Sequence, residues 1–396
     1  MRIAVLTHML HPIRSPFAGG LEMHTAMTVE HLVRRGHEVT VYAREGTEVS
    51  ATVIPVLEVH PEGREDVLPG ALDDELDQGA ERACQMILDS DAQVVLNNSL
   101  SAAPLRLLRG LPMVTVLHTP ATLASVLKVL DDPQWTAPPG HRWLSVSASN
   151  ALAWRHRLPR IAVVPNGIEL AHWHSTVAPV PGRAVWTGRI TEEKGLHVAI
   201  EAARLAGMEL HFAGPVSDPS YHRERIEPLL SPDTVYWGHL DHQGLPDLLA
   251  SGEVYLSTPL WAEPFGLATV EAMAVGTPVA ALLAGSMGEI VAPQAGDLAV
   301  HHSARSLADS IEVARTRERA QVQAWSRRFS SDLMVDTYLG VLHEAGESAG
   351  TLTGPGPGQT TFTQRMLMET RDRIDPHHRS PQDMDPPRAK TVETAQ

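Results

Sequence analysis

The feature that most constrains this chain is a repeated alternation of short apolar runs with amphipathic stretches of helical length. In the first half the runs are Ile3–Leu6, Val39–Tyr42, Val53–Val56, Val94–Leu96, Val114–Leu117, Trp143–Val146 and Ile161–Val164. The helical stretches between them fall near Glu22–Arg35, Leu72–Asp89, Ala121–Leu130 and Ala148–Arg157. After a Pro/Val-rich connector at 177–182 the alternation restarts, with runs at Ala184–Thr187, Glu209–Ala213, Thr234–Trp237, Val254–Ser257 and Pro278–Ala281. Its helices are expected near Leu196–Leu205, Tyr221–Leu230, Leu245–Ala250 and Leu267–Ala274. Uninterrupted apolar strands separated by helices are the mark of parallel sheets covered on both faces. Two consecutive α/β halves follow, one over residues 1–170 and one over 171–330, joined near 165–182. Helices at Ala320–Arg328 and Asp332–Glu344 come next. From Gly350 the chain turns to Gly, Pro, Thr and Asp, so 350–396 reads as a disordered tail with a short helix at Gln364–Arg373.

Composition removes several classes of function. A formal net charge of -15 is opposed to phosphate neutralisation, so no nucleic-acid partner is expected. The segment Leu57–Asp91 is densely acidic, opposed by Arg64 and Arg82, and reads as a solvated loop and helix face that would repel an anionic acceptor. One cysteine, Cys84, permits no internal disulfide and reads as a small buried apolar residue on a helix. The chain opens directly on a strand, and its longest uncharged stretch, Ala272–Gly288, is broken by Gly276 and Pro278. A cytoplasmic protein without a transmembrane segment is expected, with no feature supporting peripheral membrane contact.

Four stretches carry candidate chemistry. Gly19-Gly20 precedes the first helix, where backbone amides and the helix N-terminus favour an anion. No G-x-G-x-x-G follows the strand, and a glycine pair there is equally explained as a plain turn. In the second half a strand runs into Gly188-Arg189 and then Lys194-Gly195. This is not a P-loop, because the lysine precedes the glycine and no Ser or Thr follows it. Arg189 and Lys194 are a cation pair able to grip a diphosphate from two sides, or two surface cations near a helix. The lysines are only Lys128, Lys194 and Lys390 among 32 lysines and arginines, which draws attention to Lys194. The last stretch runs from Glu263 through Pro264, Phe265, Gly266 and Leu267 to Glu271. Pro264 and Gly266 suit a tight turn whose amides face a ligand. Glu263 in that turn and Glu271 in the helix can reach one cleft, and carboxylates suit sugar hydroxyls because each oxygen accepts charge-assisted hydrogen bonds.

With its setting E-P-F-G-L-x-x-x-E-A-M-A-x-G-T-P-V, this last stretch resembles the retaining glycosyltransferases of sequence family 4, over roughly residues 1–345. Gly19-Gly20-Leu-Glu22, Leu117-His118-Thr119-Pro120, Val164-Pro165-Asn166-Gly167-Ile168 and Gly188–Gly195 match in the same order. The resemblance implies a GT-B fold: two Rossmann-like domains facing a deep cleft, the first holding the acceptor and the second the nucleotide sugar. The last helix, about 332–346, would cross back to complete the first domain. It implies that Arg189 and Lys194 bind the donor diphosphate, that Glu263 holds sugar hydroxyls and that Glu271 holds the ribose. It places His118 beside the sugar, Gly20 where the first domain's loop closes on the diphosphate, Gly19 and Gly188 in the donor site, Asn166 near the nucleotide, and the amides of Phe265, Gly266 and Leu267 against the donor.

The activity implied is hexosyl transfer from a UDP- or GDP-sugar to an acceptor hydroxyl with retention of configuration. No enzymic nucleophile and no metal or other cofactor are expected; Asp73-Asp74 and Asp131-Asp132 read as solvent-facing loops. Two rivals are a nucleotide-sugar epimerase of the same architecture and a non-catalytic sugar-nucleotide-binding protein. Against the first stands the E-P-F-G-L run with its paired glutamates, and against the second the intact set of Arg189, Lys194, Glu263 and Glu271. One departure stands out: family members often carry two glycines before Glu-Ile-Val, whereas here Ser286 follows Gly285 ahead of Glu289-Ile290-Val291. The acceptor would lie against loops at about Leu57–Leu76 and Pro120–Gly140, where Trp135 is either a stacking platform or a loop anchor. A small-molecule or glycan acceptor is favoured.

Overall fold

The computed structural model describes residues 1–58, 69–158, 160–241 and 243–352. The heart of the first expected acceptor loop and nearly all of the expected tail, with its helix at Gln364–Arg373, lie outside the described residues.

Two parallel sheets form. The first comprises β1 (Arg2–Leu6), β2 (Glu38–Arg44), β3 (Thr52–Leu57), β4 (Val94–Asn97), β5 (Met113–Leu117), β6 (His141–Ser145) and β7 (Ile161–Val163), in the order β3-β2-β1-β4-β5-β6-β7. The second comprises β8 (Arg183–Thr187), β9 (Glu209–Ala213), β10 (Thr234–Tyr236), β11 (Val254–Ser257), β12 (Val279–Leu282) and β13 (Gly296–Ala299), in the order β10-β9-β8-β11-β12-β13. In both open sheets the strand order reverses once, between β1 and β4 and between β8 and β11. Such a switch point leaves a crevice beyond the carboxyl ends of the strands, where ligands bind in this architecture. The central strands have no polar face. Ile3, Ala4, Val5 and Leu6 are all essentially inaccessible, as are Val94, Val95 and Leu96, which is why the apolar runs were uninterrupted.

Several local expectations need correction. The stretch Tyr221–Leu230 is no regular helix: a turn at Pro219–Tyr221 passes into a π-helical turn at His222–Ile226 and a 3-10 turn at Glu227–Leu229. Pro228 lies in the last of these, and a proline inside a helix removes a donor and collides with the preceding turn. Asp73-Asp74 sits within the helix Pro69–Leu88 rather than in a loop. The strand β13 and the helices Ala103–Leu107, Met287–Ile290 and Ala304–Ala314 were not anticipated. Cys84 is fully buried on its helix, and burial pushes its thiol up to about 12. Among the described residues no helix is long and apolar enough to cross a membrane.

The chain passes between the two sheets twice, and the two passages touch. Ile168 pairs with Ser330 as a parallel bridge: its amide donates to Phe329 O at 2.8 Å, and the Ser331 amide donates to Ile168 O at 2.9 Å. The helix Ser331–Ala349 then packs on the helix Gly20–Arg34 and on β4, β5 and β6, burying Tyr338 and Leu342. Arg35 and Arg142 tie it down through Asp336 at 2.8 Å and Glu344 at 2.9 Å.

Candidate functional site

The two switch points face each other across one cavity of about 470 Å³, within the range of small-molecule sites. The residues expected to hold the donor line it: Gly19, Gly20, His118 and Asn166 from the first half, and Gly188, Arg189, Lys194, Glu263, Phe265, Gly266, Leu267 and Glu271 from the second. The walls are close. A Cβ on Gly20 would come within 3.1 Å of Leu267 Cδ1 across the cleft.

Lys194 ends a 3-10 turn after β8, followed by Gly195 at φ +67. A side chain on Gly195 would fall 2.2 Å from Thr258 O, so that position admits only glycine. The Thr258 hydroxyl donates to Lys194 O at 2.8 Å, fastening the lysine turn to the end of β11. The ammonium donates to Glu263 Oε2 at 2.6 Å, and the indole N–H of Trp261 donates to the same oxygen at 2.9 Å. The Lys194 ammonium also stands 5.3 Å from the centre of the Trp261 ring, within cation–π range. One oxygen of Glu263 is therefore held by two protein donors. Arg189 is half exposed and reaches Glu193 at 3.3 Å, a surface pair of little energetic weight.

Glu271 sits differently. It lies in the helix Leu267–Ala274, which Gly266 caps, and is 7% exposed. Among the described residues no donor reaches its carboxylate, and burial alone pushes it up to about 8. A buried carboxyl without a protein partner is a costly arrangement that a donor group on a ligand would relieve. The Asn166 side-chain oxygen, Oδ1, is buried in the cavity wall without a partner among the described residues.

His118 follows β5, and its Nε2 lies 3.1 Å from Asn98 Oδ1. Burial, with His24 and His8 nearby, holds it well below the ordinary histidine range, so it is neutral at pH 7. His24, from the helix Gly20–Arg34, meets it edge-on with ring centres 4.9 Å apart and is itself lowered by burial to about 4.

The serine that departs from the family pattern is fully built in. Gly285 (φ +55) leaves no space for a side chain, since a Cβ there would be 2.2 Å from Glu263 O. The Ser286 amide donates to that same Glu263 O at 2.9 Å, and its hydroxyl donates to Phe265 O at 2.5 Å. The loop at 285–286 thus braces the backbone on both sides of Pro264. Beyond it, Glu289 reaches the opposite half, accepting from the amides of Ala148 at 2.7 Å and Ser149 at 2.6 Å. Trp135 is a loop anchor: its indole donates to Leu105 O at 3.1 Å and its ring meets Trp143 edge-on.

Trp261, Asn98 and Glu289 are what the sequence reading missed. Trp261 had a signal, an aromatic two residues before Glu263, and Glu289 stands in the Glu-Ile-Val of the family pattern, although its reach to the opposite half was not readable; Asn98 had no signal without the tertiary fold. Among the described residues no group of three or more His, Cys, Asp or Glu is placed to hold a metal ion.

Comparison with known proteins identifies the two halves in turn. A model of family 4 glycosyltransferases matches residues 18–172, and a model of group 1 glycosyl transferases matches residues 180–326. The chain belongs to the group 1, family 4-like glycosyltransferases. Among its relatives, glycogen synthase of Mycobacterium tuberculosis is 34% identical over 193 residues, 44% of this chain and 45% of that protein. The match therefore spans less than half the length of that relative. Phosphatidyl-myo-inositol mannosyltransferase of Mycobacterium leprae is 27% identical over 304 residues, 69% of this chain and 77% of that protein. In fold, the chain is similar to AviGT4, a glycosyltransferase involved in avilamycin A biosynthesis, with TM-score 0.64, 21% identity and coverage of 87% and 98%. It is also similar to HepE of Anabaena in complex with UDP-glucose, with TM-score 0.60, 19% identity and coverage of 89% and 100%. These likenesses establish the GT-B fold.

Proposed function

We propose that this protein transfers a hexosyl group from a UDP- or GDP-sugar to an acceptor hydroxyl with retention of anomeric configuration. The observation that carries the reading is the pairing in one cavity of an unpartnered buried carboxylate, Glu271, with a cation-held carboxylate, Glu263. Glu271 receives the ribose hydroxyls, whose O–H groups supply the donors that the protein withholds. Glu263 offers its second oxygen to the donor sugar. Lys194 and Arg189 neutralise the diphosphate as the glycosidic bond lengthens, and stabilisation of charge developing on a leaving group is worth several kcal/mol in a dry cleft. The amides at Phe265, Gly266 and Leu267, at a helix N-terminus, add fixed positive potential.

The reading calls for no protein nucleophile and no metal: the departing phosphate assists deprotonation of the acceptor on the same face. Residues 1–170, with the terminal helix, hold the acceptor, and residues 171–330 hold the donor. The dense acidity of Leu57–Asp91 disfavours an anionic acceptor, which supports a small soluble molecule or glycan. HepE binds UDP-glucose, which supports a uridine nucleotide as the first donor to try.

A thermal-shift panel of UDP, GDP and ADP selects the nucleotide, because a ligand that binds only the folded state raises its stability in proportion to affinity. Turnover with UDP-glucose and GDP-mannose then reports donor hydrolysis or transfer, and NMR of the product's anomeric proton reports configuration. Lys194→Ala and Glu263→Ala should lower turnover by ~100-fold or more while each variant melts as a folded protein. Unchanged turnover in both would sink the site assignment, and an inverted product would sink retention.

A further inference from the structure

The cavity wall contains a relay of buried hydrogen bonds that ends on His118. It begins in the helix Gly20–Arg34, where the Thr25 hydroxyl donates to Leu21 O at 2.8 Å. With its only hydrogen committed, that hydroxyl can act toward Asn98 only as an acceptor. Asn98 is fully buried, and its Nδ2 donates to Thr25 Oγ1 at 3.3 Å. The amide is thereby oriented with Oδ1 toward the histidine. An amide oxygen accepts and cannot donate, so the His118 nitrogen 3.1 Å away, Nε2, must carry a hydrogen. In a neutral imidazole only one nitrogen is protonated, which leaves the lone pair on Nδ1, on a ring that lines the cavity.

The relay joins three elements at the switch point of the first sheet. Thr25 lies on the helix after β1, Asn98 follows β4 with its amide donating to Leu6 O at 2.8 Å, and His118 follows β5. The titratable groups acting on His118 are His24 from the helix and His8 from the loop after β1, both opposing a positive ring. Tyr338 of the terminal helix stands behind His24, with ring centres 6.0 Å apart.

We propose that Asn98, oriented by Thr25, is a positioning residue: it fixes His118 as the Nε2–H tautomer and so presents the Nδ1 lone pair to a ligand hydroxyl. The inference rests on the reading of this cavity as the donor-sugar site. It assigns His118 the part of hydrogen-bond acceptor, complementing the cationic donors Lys194 and Arg189.

The test uses the full chain with ring-¹⁵N histidine, the His118 signals being assigned by their loss in His118→Gln. In the wild type, His118 is expected as neutral Nε2–H from pH 5.5 to 8. Asn98→Asp places a carboxylate on Nε2–H, which favours the protonated ring and brings its titration into that pH range. Turnover of Asn98→Asp at pH 6 should then fall about tenfold below its value at pH 8, while the wild type changes far less. Thr25→Val, which leaves the amide free to rotate, should populate the Nδ1–H tautomer without introducing charge, and it serves if Asn98→Asp does not fold.

A wild-type Nδ1–H signal, or Thr25→Val and Asn98→Asp spectra matching the wild type, would overturn the relay. A moved titration with turnover that stays flat with pH would overturn the role of the Nδ1 lone pair. Failure of the donor reading shows separately, as absence of turnover in the wild type, and the spectra still decide the tautomer.

Discussion

Glu271→Gln should make the ligand-free protein more stable and a worse nucleotide binder, and both effects should depend on pH. In the folded state burial moves this carboxyl from 4.5 to about 8. Below pH 4.5 the group is protonated whether the chain is folded or not, so it contributes no pH-dependent stability. Between these values the unfolded chain releases the proton while the folded chain keeps it, so stability falls as pH rises. Above pH 8 both states are ionised and the loss is at its maximum. At pH 7 the wild type has lost about 3 kcal/mol by this route, the difference from pH 4.5 at 1.36 kcal/mol per unit. Glutamine has nearly the same shape and never ionises, so the gap between variant and wild type should open progressively from pH 5 to 8.

Nucleotide binding reverses the preference. If ribose hydroxyls donate to the ionised carboxylate as proposed, binding at pH 7 should release about 0.9 proton, the fraction held by a group with pKa about 8. Affinity should rise about fivefold between pH 7 and 8 for the same reason. Calorimetry in buffers of different ionisation enthalpy counts that proton, and melting curves across the pH range follow stability. A stability gap that does not vary with pH, or equal proton release from wild type and Glu271→Gln, would refute an unpaired buried carboxyl at this position.

Two further outcomes follow from contacts around the same cleft. Glu289→Ala removes two charge-assisted bonds between the halves; partial exposure discounts these to about 1 kcal/mol together. The amides of Ala148 and Ser149 should then exchange faster in hydrogen-exchange measurements; unchanged protection there would show that Glu289 does not couple the halves. Gly285→Ala adds a Cβ where Glu263 O stands 2.2 Å away, at φ +55. Strain of about 1–3 kcal/mol is expected, displacing the Glu263 backbone. Affinity for a sugar nucleotide should therefore fall more than affinity for the bare nucleoside diphosphate, and equal losses in calorimetry would count against it.

The sheets were legible because their strands are buried on both faces, so hydrophobicity is continuous and needs no register information. β13 escaped because Gly-Asp-Leu-Ala at 296–299 has neither length nor an apolar run, and an edge strand is paired on one side only. The helix Ala304–Ala314 did carry a signal: Ser303 caps it by accepting from the Ser306 amide, and Leu307, Ala308, Ile311 and Ala314 form a buried stripe. That pattern was overlooked. The site positions were legible because each belongs to a compact local motif. Their mutual contacts were not, since Lys194 meets Glu263 and Asn98 meets Thr25 only through the pairing order of the strands that carry them.

The two glutamates show the limit of reading roles from spacing. They stand in one run, on a turn and the helix it opens, and a sequence gives both as carboxylates facing a cleft. The fold gives them opposite electrostatic surroundings. Glu263 is at a loop where the Lys194 ammonium and the Trp261 indole converge on a single oxygen, so its direction is set before any ligand arrives. Glu271 is one helical turn and more deeper, where Tyr255 is fully buried with its hydroxyl already donating to Thr187 O at 3.1 Å. Among the described residues no donor remains for it there. A preorganised carboxylate suits the group where bonds change, because reorganisation during the reaction is then avoided. An unsatisfied one suits an anchor remote from the reacting bond, because its burial opposes the empty state and is relieved on filling. In the proposed reading, the same residue type, eight positions apart, thus divides orientation from affinity.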